Sequence, residues 1–288
     1  MTTRPTGRRA RNRAARHDQL MAAARDIVTE EGLDGLTMQA VAERVGCAVG
    51  TIYTYFDSKS ALLSSLQVAA IQTLMSSYHE ASDMWEDELS ESDLDDAVAS
   101  LVRLVAFGRI FVASADLHPR EFELLQMLIS TPLDLTTNED RDSVLPIALA
   151  LVNDFRVLID DAIEVGALNP VTPQVIADSN YDPDSSLNRT FRWAGGLNGA
   201  MLVSNVGVDP QRINPALFDG RRLALSLADD MLVSWGAPRR LLAAAHEFVE
   251  SLADKDRLLP AGDPAPRLID VADAVEPDPA ETPALDTP

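Results

Sequence analysis

The chain has 288 residues, of which 46% are hydrophobic, and it carries a formal net charge of −21. Such a composition is typical of a globular protein of one or two domains, and no apolar run is long enough to predict a membrane span or a secretory signal. Cys47 is the single cysteine, which excludes an intramolecular disulfide, and together these features predict a cytoplasmic protein.

The charge is unevenly distributed along the chain. Residues 1–66 carry nine basic and seven acidic side chains, whereas the remainder carries 15 basic and 38 acidic ones. The first 17 residues hold six arginines and no acid. A basic end on an acidic body is typical of a protein that meets nucleic-acid phosphates at that end, although a merely solvated charge imbalance has the same appearance.

The N-terminal residues are predicted to form an arm and a first helix. Residues 1–15 lack apolar periodicity, which predicts a disordered basic arm. A helix is predicted over about 16–31, where apolar residues recur at helical spacing: Leu20, Ala24 and Ile27. Gly32 follows where a left-handed helix end is favoured.

Two short helices then form a pattern typical of a helix-turn-helix. They are predicted at 38–45 and at about 49–56, on either side of Gly46, which tolerates the positive φ that a tight turn requires. Close crossing of the helices needs a small residue on the first, which Ala42 provides, and an apolar anchor on the second, which Ile52 provides.

The rest of the chain is predicted to be helical up to about residue 254. A fourth helix starts near Lys59. Further helices are predicted at 94–115, 121–130, 143–165, 189–206, 218–235 and 239–253. Residues 169–184 look irregular, with a short helix at 173–178. Prolines and acidic residues dominate the tail, 255–288, which predicts disorder because so little apolar surface can be buried.

The segment from Leu20 to Leu63 resembles the tetracycline-repressor (TetR) family of bacterial transcription regulators. The matching residues are Leu20, Ala23, Ala24, Ile27, Gly32, Thr37, Val41, Ala42, Gly46, the run Gly50–Phe56, Lys59 and Ala61–Leu63. The resemblance implies an all-α fold with a three-helix helix-turn-helix domain at 16–58 and a larger helical ligand-binding and dimerisation domain at 59–254. Beyond Leu63 the resemblance is weaker.

The resemblance implies a set of residues that contact double-stranded DNA. These are Thr37, Ala48, Val49, Gly50, Thr51, Tyr53, Thr54, Tyr55 and Lys59. The hydroxyls and Lys59 would meet phosphates, whereas residues 48–50 and Thr54 would face base edges. Partial burial of the two tyrosines and a merely solvated Lys59 are the alternatives. For Cys47, a core position in the turn is the favoured interpretation.

The base-facing positions are poor in hydrogen-bonding side chains, since Ala48, Val49 and Gly50 have none. The arm would supply the missing affinity through Arg8, Arg9, Arg11 and Arg13. Two alternatives stay open: the arm enters the minor groove, or it makes only salt-sensitive phosphate contacts.

The larger domain is expected to hold a dimer interface and a pocket. Glycines in one helix and apolar residues in the next favour a four-helix interface, with intramolecular packing as the alternative. The interface candidates are Gly195, Gly196, Gly199, Leu223, Leu227, Met231 and Trp235. The resemblance also implies a pocket for a small-molecule effector. Its candidates are Arg103, Phe107, Phe111, His118, Met127, Asn153, Phe155 and Trp193, although the apolar ones suit a plain core equally.

The resemblance and these patterns together predict a cytoplasmic, nucleoid-associated homodimer that binds a pseudo-palindromic operator, and the resemblance implies that a small-molecule effector of unknown identity releases it. No catalytic constellation, cofactor motif or metal-ligand spacing is present in the sequence, which argues against an enzyme. The alternative is a protein-interaction module with weak non-specific DNA binding.

Overall fold

The computed structural model describes residues 7–130, 138–171, 185–205, 214 and 218–261. Three predictions fall outside these ranges: the arm before residue 7, the segment 172–184 with its short helix at 173–178, and the tail after residue 261. Over the described ranges all regular structure is helical, which confirms the all-α fold class. The helices there are α1 (Arg8–Gly35), α2 (Met38–Val45), α3 (Val49–Ile52), α4 (Lys59–Ser90), α5 (Asp96–Leu117), α6 (Pro119–Ser130), α7 (Asn138–Glu164), α8 (Ser186–Leu202), α9 (Gly220–Ser234) and α10 (Arg239–Asp254).

Helices α1 to α3 and the start of α4 enclose one small core, which we call the N-terminal core. Its centre is formed by side chains that are at most 1% exposed, among them Leu20, Ile27, Ile52 and Leu62. These are the apolar positions whose helical spacing predicted the domain. Helix α1 is interrupted at Gly32, whose left-handed φ of 70° turns the chain toward α2.

Helix α1 begins at Arg8, so the prediction of an unstructured arm was wrong for residues 8–15. The Arg11 N–H donates to the Gly7 carbonyl at 3.1 Å and closes the first turn. Residues 8–15 contain arginine, alanine and asparagine but no glycine or proline, and arginine and alanine have high helix propensity. The apolar periodicity did not predict this part of the helix, because it extends beyond the N-terminal core and carries no large apolar side chain to bury.

Helix α3 is shorter than predicted, ending at Ile52 rather than at Phe56. The chain then tightens into turns, in which the N–H groups of Thr54 and Tyr55 donate to the carbonyls of Thr51 and Ile52. These bonds span three residues instead of four, which narrows the helix. Phe56 still reaches the N-terminal core and is 3% exposed.

A second and larger core lies among α5, α7, α8, α9, α10 and the distal half of α4. By length and hydropathy α5 could span a membrane, contrary to the sequence expectation, but 67% of its most apolar window is buried inside the protein. It is therefore placed as a core helix here, with α10 along one side of it. Helix α4 belongs to both cores, since Leu66 is buried in the first and Trp85 in the second.

The segment after α10 is ordered further than predicted. Residues 255–261 are described, and the Trp85 indole N–H donates to the Leu258 carbonyl at 2.8 Å. Leu258 is 8% exposed, and Lys255 pairs with Glu88 at 2.6 Å. The tail prediction was wrong for these seven residues because two leucines precede the proline-rich composition.

Candidate nucleic-acid interface and internal cavity

The helix-turn-helix is built as its spacing predicted. The Thr37 Oγ1 caps α2 by accepting the Ala40 N–H at 3.0 Å. Gly46 ends α2 in the left-handed conformation, with φ 69° and ψ 45°. Ala42 and Ile52 are 1% and 0% exposed, so the small residue and the apolar anchor lie in the N-terminal core as required for close crossing.

The opposite face of α3 is open to solvent. Ala48, Gly50, Tyr53 and Thr54 are exposed, and Tyr53 is 51% accessible, which disfavours the alternative that its only role is burial. Val49, Thr51 and Tyr55 are half-buried at its edges. The Thr54 hydroxyl donates to the Thr51 carbonyl at 2.7 Å, which leaves its oxygen free to accept.

Two further predicted residues flank this face. The Lys59 Nζ donates to the Leu33 carbonyl at 3.2 Å and joins the start of α4 to the end of α1, with protons left for another acceptor. Cys47 is half-buried against the N-terminal core, in the turn position that was predicted.

Helix α1 adds a basic groove beside α3. The groove has a volume of about 610 Å³ and is lined by Asn12, Arg13, Arg16, Thr54 and Tyr55. The Arg13 guanidinium carbon lies 5.7 Å from the centre of the Tyr55 ring. The side chains of Arg8 and Arg9 lie outside the described structure, whereas that of Arg11 is exposed.

An ion pair within the same domain joins α1 to α2. Arg44 donates to Glu30 at 2.7 Å, and this hydrogen bond lowers the pKa of Glu30 and raises that of Arg44. Arg44 is therefore neutralised within the domain. The cations left over for a partner concentrate at the N-terminal end of α1.

Residues 20–66 match the family model described as bacterial regulatory proteins, tetR family. The helix-turn-helix segment of this chain is therefore similar to the tetR family. The match covers the whole helix-turn-helix and the first turns of α4, the segment on which the sequence resemblance depended.

Curated relatives of this chain are transcriptional regulators. It is 32% identical over 53 residues to the uncharacterized HTH-type transcriptional regulator YvdT of Bacillus subtilis, which is 18% of this chain but only 27% of that protein. It is 25% identical over 171 residues to the HTH-type transcriptional regulator RutR of Escherichia coli, covering 59% of this chain and 72% of RutR.

Solved structures of the tetR family share the fold. A TetR transcription regulator from Haloarcula marismortui superposes with a TM-score of 0.54 at 15% identity, over 77% of this chain and 98% of that one. A regulator of the family from Agrobacterium tumefaciens gives 0.52 at 16% identity, over 77% and 98%. The likeness therefore extends beyond the helix-turn-helix into the larger domain.

The larger domain contains a cluster of aromatic rings. Phe155 and Trp193 stack with centroids 4.1 Å apart, and Phe107 lies 4.9 Å from the first and 5.2 Å from the second. Tyr78 meets Phe107 edge-on at 4.7 Å. Beside the cluster is an apolar cavity of about 30 Å³, the size of one or two water molecules. Its lining is Leu74, Tyr78, Phe107, Ile110, Phe111, Ser114, Phe122, Leu125 and Leu151.

The predicted pocket residues separate into two groups. Phe107 and Phe111 line the cavity, and Phe155 and Trp193 stack behind it. The other four point elsewhere. Met127 packs on the N-terminal core, Arg103 makes a two-bonded ion pair with Glu86, Asn153 is exposed and accepts from Arg156, and His118 ends α5.

Tyr78 is a polar residue of the cavity lining that the sequence analysis missed. It is 8% exposed, and burial, with a smaller contribution from Asp154, raises its pKa to about 12. The phenol is therefore neutral over the physiological range, and its hydroxyl is hydrogen-bonded to the side chain of Ser82. Its position one helical repeat beyond Leu74 on the apolar face of α4 was a signal available in the sequence.

The residues predicted for the dimer interface do not share one face, since some are exposed and others are packed inside the protein. Gly195, Gly199 and Leu223 are exposed. Gly196 faces inward, because a methyl group there would lie 2.7 Å from the Cε of Met231, and Leu227 meets the same point.

Trp235 does not belong to an exposed interface. It is 3% exposed in the larger core, and the guanidinium of Arg189 lies 5.8 Å from its ring. The residue follows the last turn of α9, and its side chain lies in the larger core rather than on the exposed face that Leu223 occupies.

Exposed apolar residues on α8 extend that face in helical spacing. Leu187 and Phe191 are 47% and 49% exposed, one turn apart, and Leu202 is 38% exposed at the other end of the helix. With Gly195 and Gly199 between them, they form a stripe whose middle has no side chain and allows another helix to approach closely.

Helix α6 joins the two cores. Its Leu124 is 2% exposed and belongs to the N-terminal core, whereas Phe122 and Leu125 line the cavity. Ion pairs strengthen the junction: Arg25 of α1 lies 3.7 Å from Glu121, and Arg120 lies 3.5 Å from Asp26. Helix α6 therefore contacts both the cavity and the helix-turn-helix domain.

Proposed function

We propose that this chain is a homodimeric transcription regulator that binds double-stranded DNA sequence-specifically through α2 and α3. The observation that carries the proposal is the exposed face of α3, held by the buried Ile52 and Phe56 inside a domain that matches the tetR family. An exposed helix of this geometry fits the major groove. The protein would act in the cytoplasm, at the nucleoid.

Within this proposal the polar residues of the domain contact phosphates. Thr37 stands at the start of α2, and Lys59 at the start of α4, where N–H groups and a cation favour an anion. Tyr53 would donate its exposed hydroxyl. Thr54 and the backbone near Gly50 would approach base edges, and Ala48 would contact a thymine methyl group.

Dimerisation would use the exposed stripe of α8 together with Leu223 of α9. A two-fold axis there would pair two such hairpins into a four-helix interface and bury the exposed leucines and Phe191. The dimer would present two recognition helices to a pseudo-palindromic operator.

The regulator would be a repressor that a small molecule releases from its operator. The aromatic cavity supports an apolar or aromatic effector. The cavity is small, so the effector must separate Phe111 and Phe122 to enter, and such a movement would displace α6 from the helix-turn-helix domain. An effector shifts the equilibrium only if it binds the two states with different affinity.

Selection of duplexes from a random library by the full-length protein tests DNA recognition. We expect an enriched inverted repeat, bound by a dimer, whose affinity exceeds that for random DNA at both low and high salt. Tyr53→Phe, which removes only the exposed hydroxyl, should weaken binding to both kinds of duplex equally. Binding without any enriched sequence would contradict sequence-specific recognition.

The second candidate is a protein-interaction module with weak non-specific DNA binding. It is favoured by the absence of hydrogen-bonding side chains at residues 48–50. It predicts that the same selection enriches no sequence and that all affinity disappears at high salt.

A further inference from the structure

The N-terminal turns of α1 extend past the N-terminal core and bring arginines to the edge of α3. Leu20, Ala24 and Ile27 are buried on one face of α1. Toward the N-terminus the same face of the helix continues through Arg16, Arg13 and position 9. The face that meets the core further along the helix is therefore basic where it overhangs the end of α3.

Contacts confirm where this overhang points. The His17 ring lies 5.2 Å from the Phe56 ring, and the Arg13 guanidinium carbon lies 5.7 Å from the centre of the Tyr55 ring. The groove between the overhang and α3 is lined on one side by Asn12, Arg13 and Arg16, and on the other by Thr54 and Tyr55. The basic surface is thus continuous with the exposed face of α3.

The arginines are available to an external anion. Within the described ranges neither Arg11 nor Arg13 has a carboxylate partner, and Arg16 bonds only to the neutral Gln19, at 3.1 Å. The segment up to residue 17 contains no acid. This contrasts with Arg44, which Glu30 neutralises within the same domain.

A helix restricts how these arginines can meet DNA. An α-helix with its side chains is about 10 Å wide, whereas the minor groove is about 6 Å wide. Residues 8–16 therefore cannot enter the minor groove as an extended arm would. They can lie along a phosphate backbone, with several guanidinium groups on one side of the helix.

We propose that the overhang of α1, through Arg13 and Arg16, is a phosphate clamp that grips the DNA backbone beside the groove occupied by α3. The inference rests on the proposed function, because it assigns a second contact surface to the same bound DNA. The clamp supplies affinity that does not depend on sequence, and it compensates for the apolar tip of α3. Of the two alternatives that the sequence left open for this part of the chain, it favours phosphate contacts over entry into the minor groove.

The test compares Arg13→Gln/Arg16→Gln with wild type in the full-length protein. Glutamine keeps helix propensity and removes charge. The charge-matched control is Arg239→Gln/Arg240→Gln, which removes two exposed arginines from the start of α10. The lysine variant Arg13→Lys/Arg16→Lys keeps the charge. Binding of a 30-base-pair random duplex and of a selected duplex is measured by fluorescence anisotropy over a series of salt concentrations.

Each phosphate contact contributes about 0.9 to the slope of log affinity against log salt. We therefore expect the glutamine variant to lose about 1.8 of slope per protomer. Over a fourfold change in salt, that difference corresponds to about twelvefold in affinity. The loss should be equal on the two duplexes, the control should keep the wild-type slope, and the lysine variant should restore it.

Three results would overturn the clamp. A slope equal to that of the α10 control would show that the arginines do not touch phosphates, and a loss confined to the selected duplex would show base recognition. Failure of the lysine variant to restore the slope would show that the effect is structural. If the wild type itself binds neither duplex, the proposed function fails together with the clamp, whereas the other results leave it standing.

Discussion

Substitution of Leu124 by alanine tests the role of α6 as the link between the two cores. Leu124 is 2% exposed and is the α6 side chain most deeply buried in the N-terminal core. Truncation of a buried leucine costs about 3–5 kcal/mol when the surroundings cannot close the cavity. The N-terminal core is small and its helices are short, so little collapse is expected. A loss of about 3 kcal/mol lowers the ratio of folded to unfolded domain about 150-fold.

The tryptophans make the two domains separately observable. All three, Trp85, Trp193 and Trp235, lie in the larger core, so their fluorescence reports that domain, whereas far-ultraviolet circular dichroism reports every helix. In Leu124→Ala we expect part of the dichroism to be lost at lower urea than the fluorescence. The matched variant Leu125→Ala, at the cavity, should shift the fluorescence transition together with the dichroism of the larger domain's helices. Unchanged transitions in Leu124→Ala, or equal shifts of both signals in the two variants, would refute the assignment of Leu124 to the N-terminal core.

Three other predictions follow from single contacts. Thr37→Ala should lower stability by about 1 kcal/mol because the α2 cap is lost, while Thr37→Ser keeps it; equal melting temperatures in thermal unfolding would contradict this. Gly220→Ala should unfold the α8–α9 hairpin or shift its helices, since the new methyl would lie 2.5 Å from the Ala200 carbonyl oxygen, and a wild-type melting temperature would count against that contact. Because Arg44 lowers the pKa of Glu30, the ion pair stabilises the fold at pH values above the ordinary glutamate pKa of 4.5, and this stabilisation is lost as the pH falls through the lowered pKa. In urea titrations Glu30→Gln should therefore be less stable than wild type at pH 7 and equally stable at low pH. A difference in stability that does not change with pH would contradict the pair.

The helix-turn-helix could be located from the sequence because each of its geometric requirements falls on a residue type that few others can replace. Gly46 adopts the left-handed turn, Ala42 allows close crossing and Ile52 anchors the second helix, and all three lie where the spacing placed them. These local requirements are met within 20 residues of sequence, so the motif could be recognised without knowledge of the rest of the fold.

The cavity could not be predicted in the same way, because helical periodicity indicates which face is apolar but not which helix it meets. Phe107 and Trp193 were among the expected pocket residues, and their rings lie 5.2 Å apart. Arg103 was expected in the same pocket, but it pairs with Glu86 of α4. Met127 was also expected there, whereas its side chain contacts the N-terminal core.

The ends of helices were the other source of error. Where no side chain is buried, the helix propensity of the residues decides whether the helix continues. The extension of α1 from Arg8 buries no apolar residue, so periodicity could not reveal it, although its composition favours a helix. This error changed the functional interpretation most. In place of the predicted disordered arm, the structure has a helix that carries basic side chains beside Tyr55.

The most direct test of the central claim places a negative charge on the exposed face of α3. Gly50 is exposed, and a Cβ built there has no heavy atom within 4 Å, so Gly50→Ala and Gly50→Glu should both fold like the wild type. The measurement is the affinity of the three proteins for the selected duplex at one salt concentration, with unfolding curves as the control. If α3 lies against DNA, Gly50→Ala should bind within a few-fold of wild type and Gly50→Glu at least about tenfold more weakly, because the carboxylate faces phosphates and base edges. Wild-type affinity in a folded Gly50→Glu protein would contradict the claim that this face of α3 binds DNA.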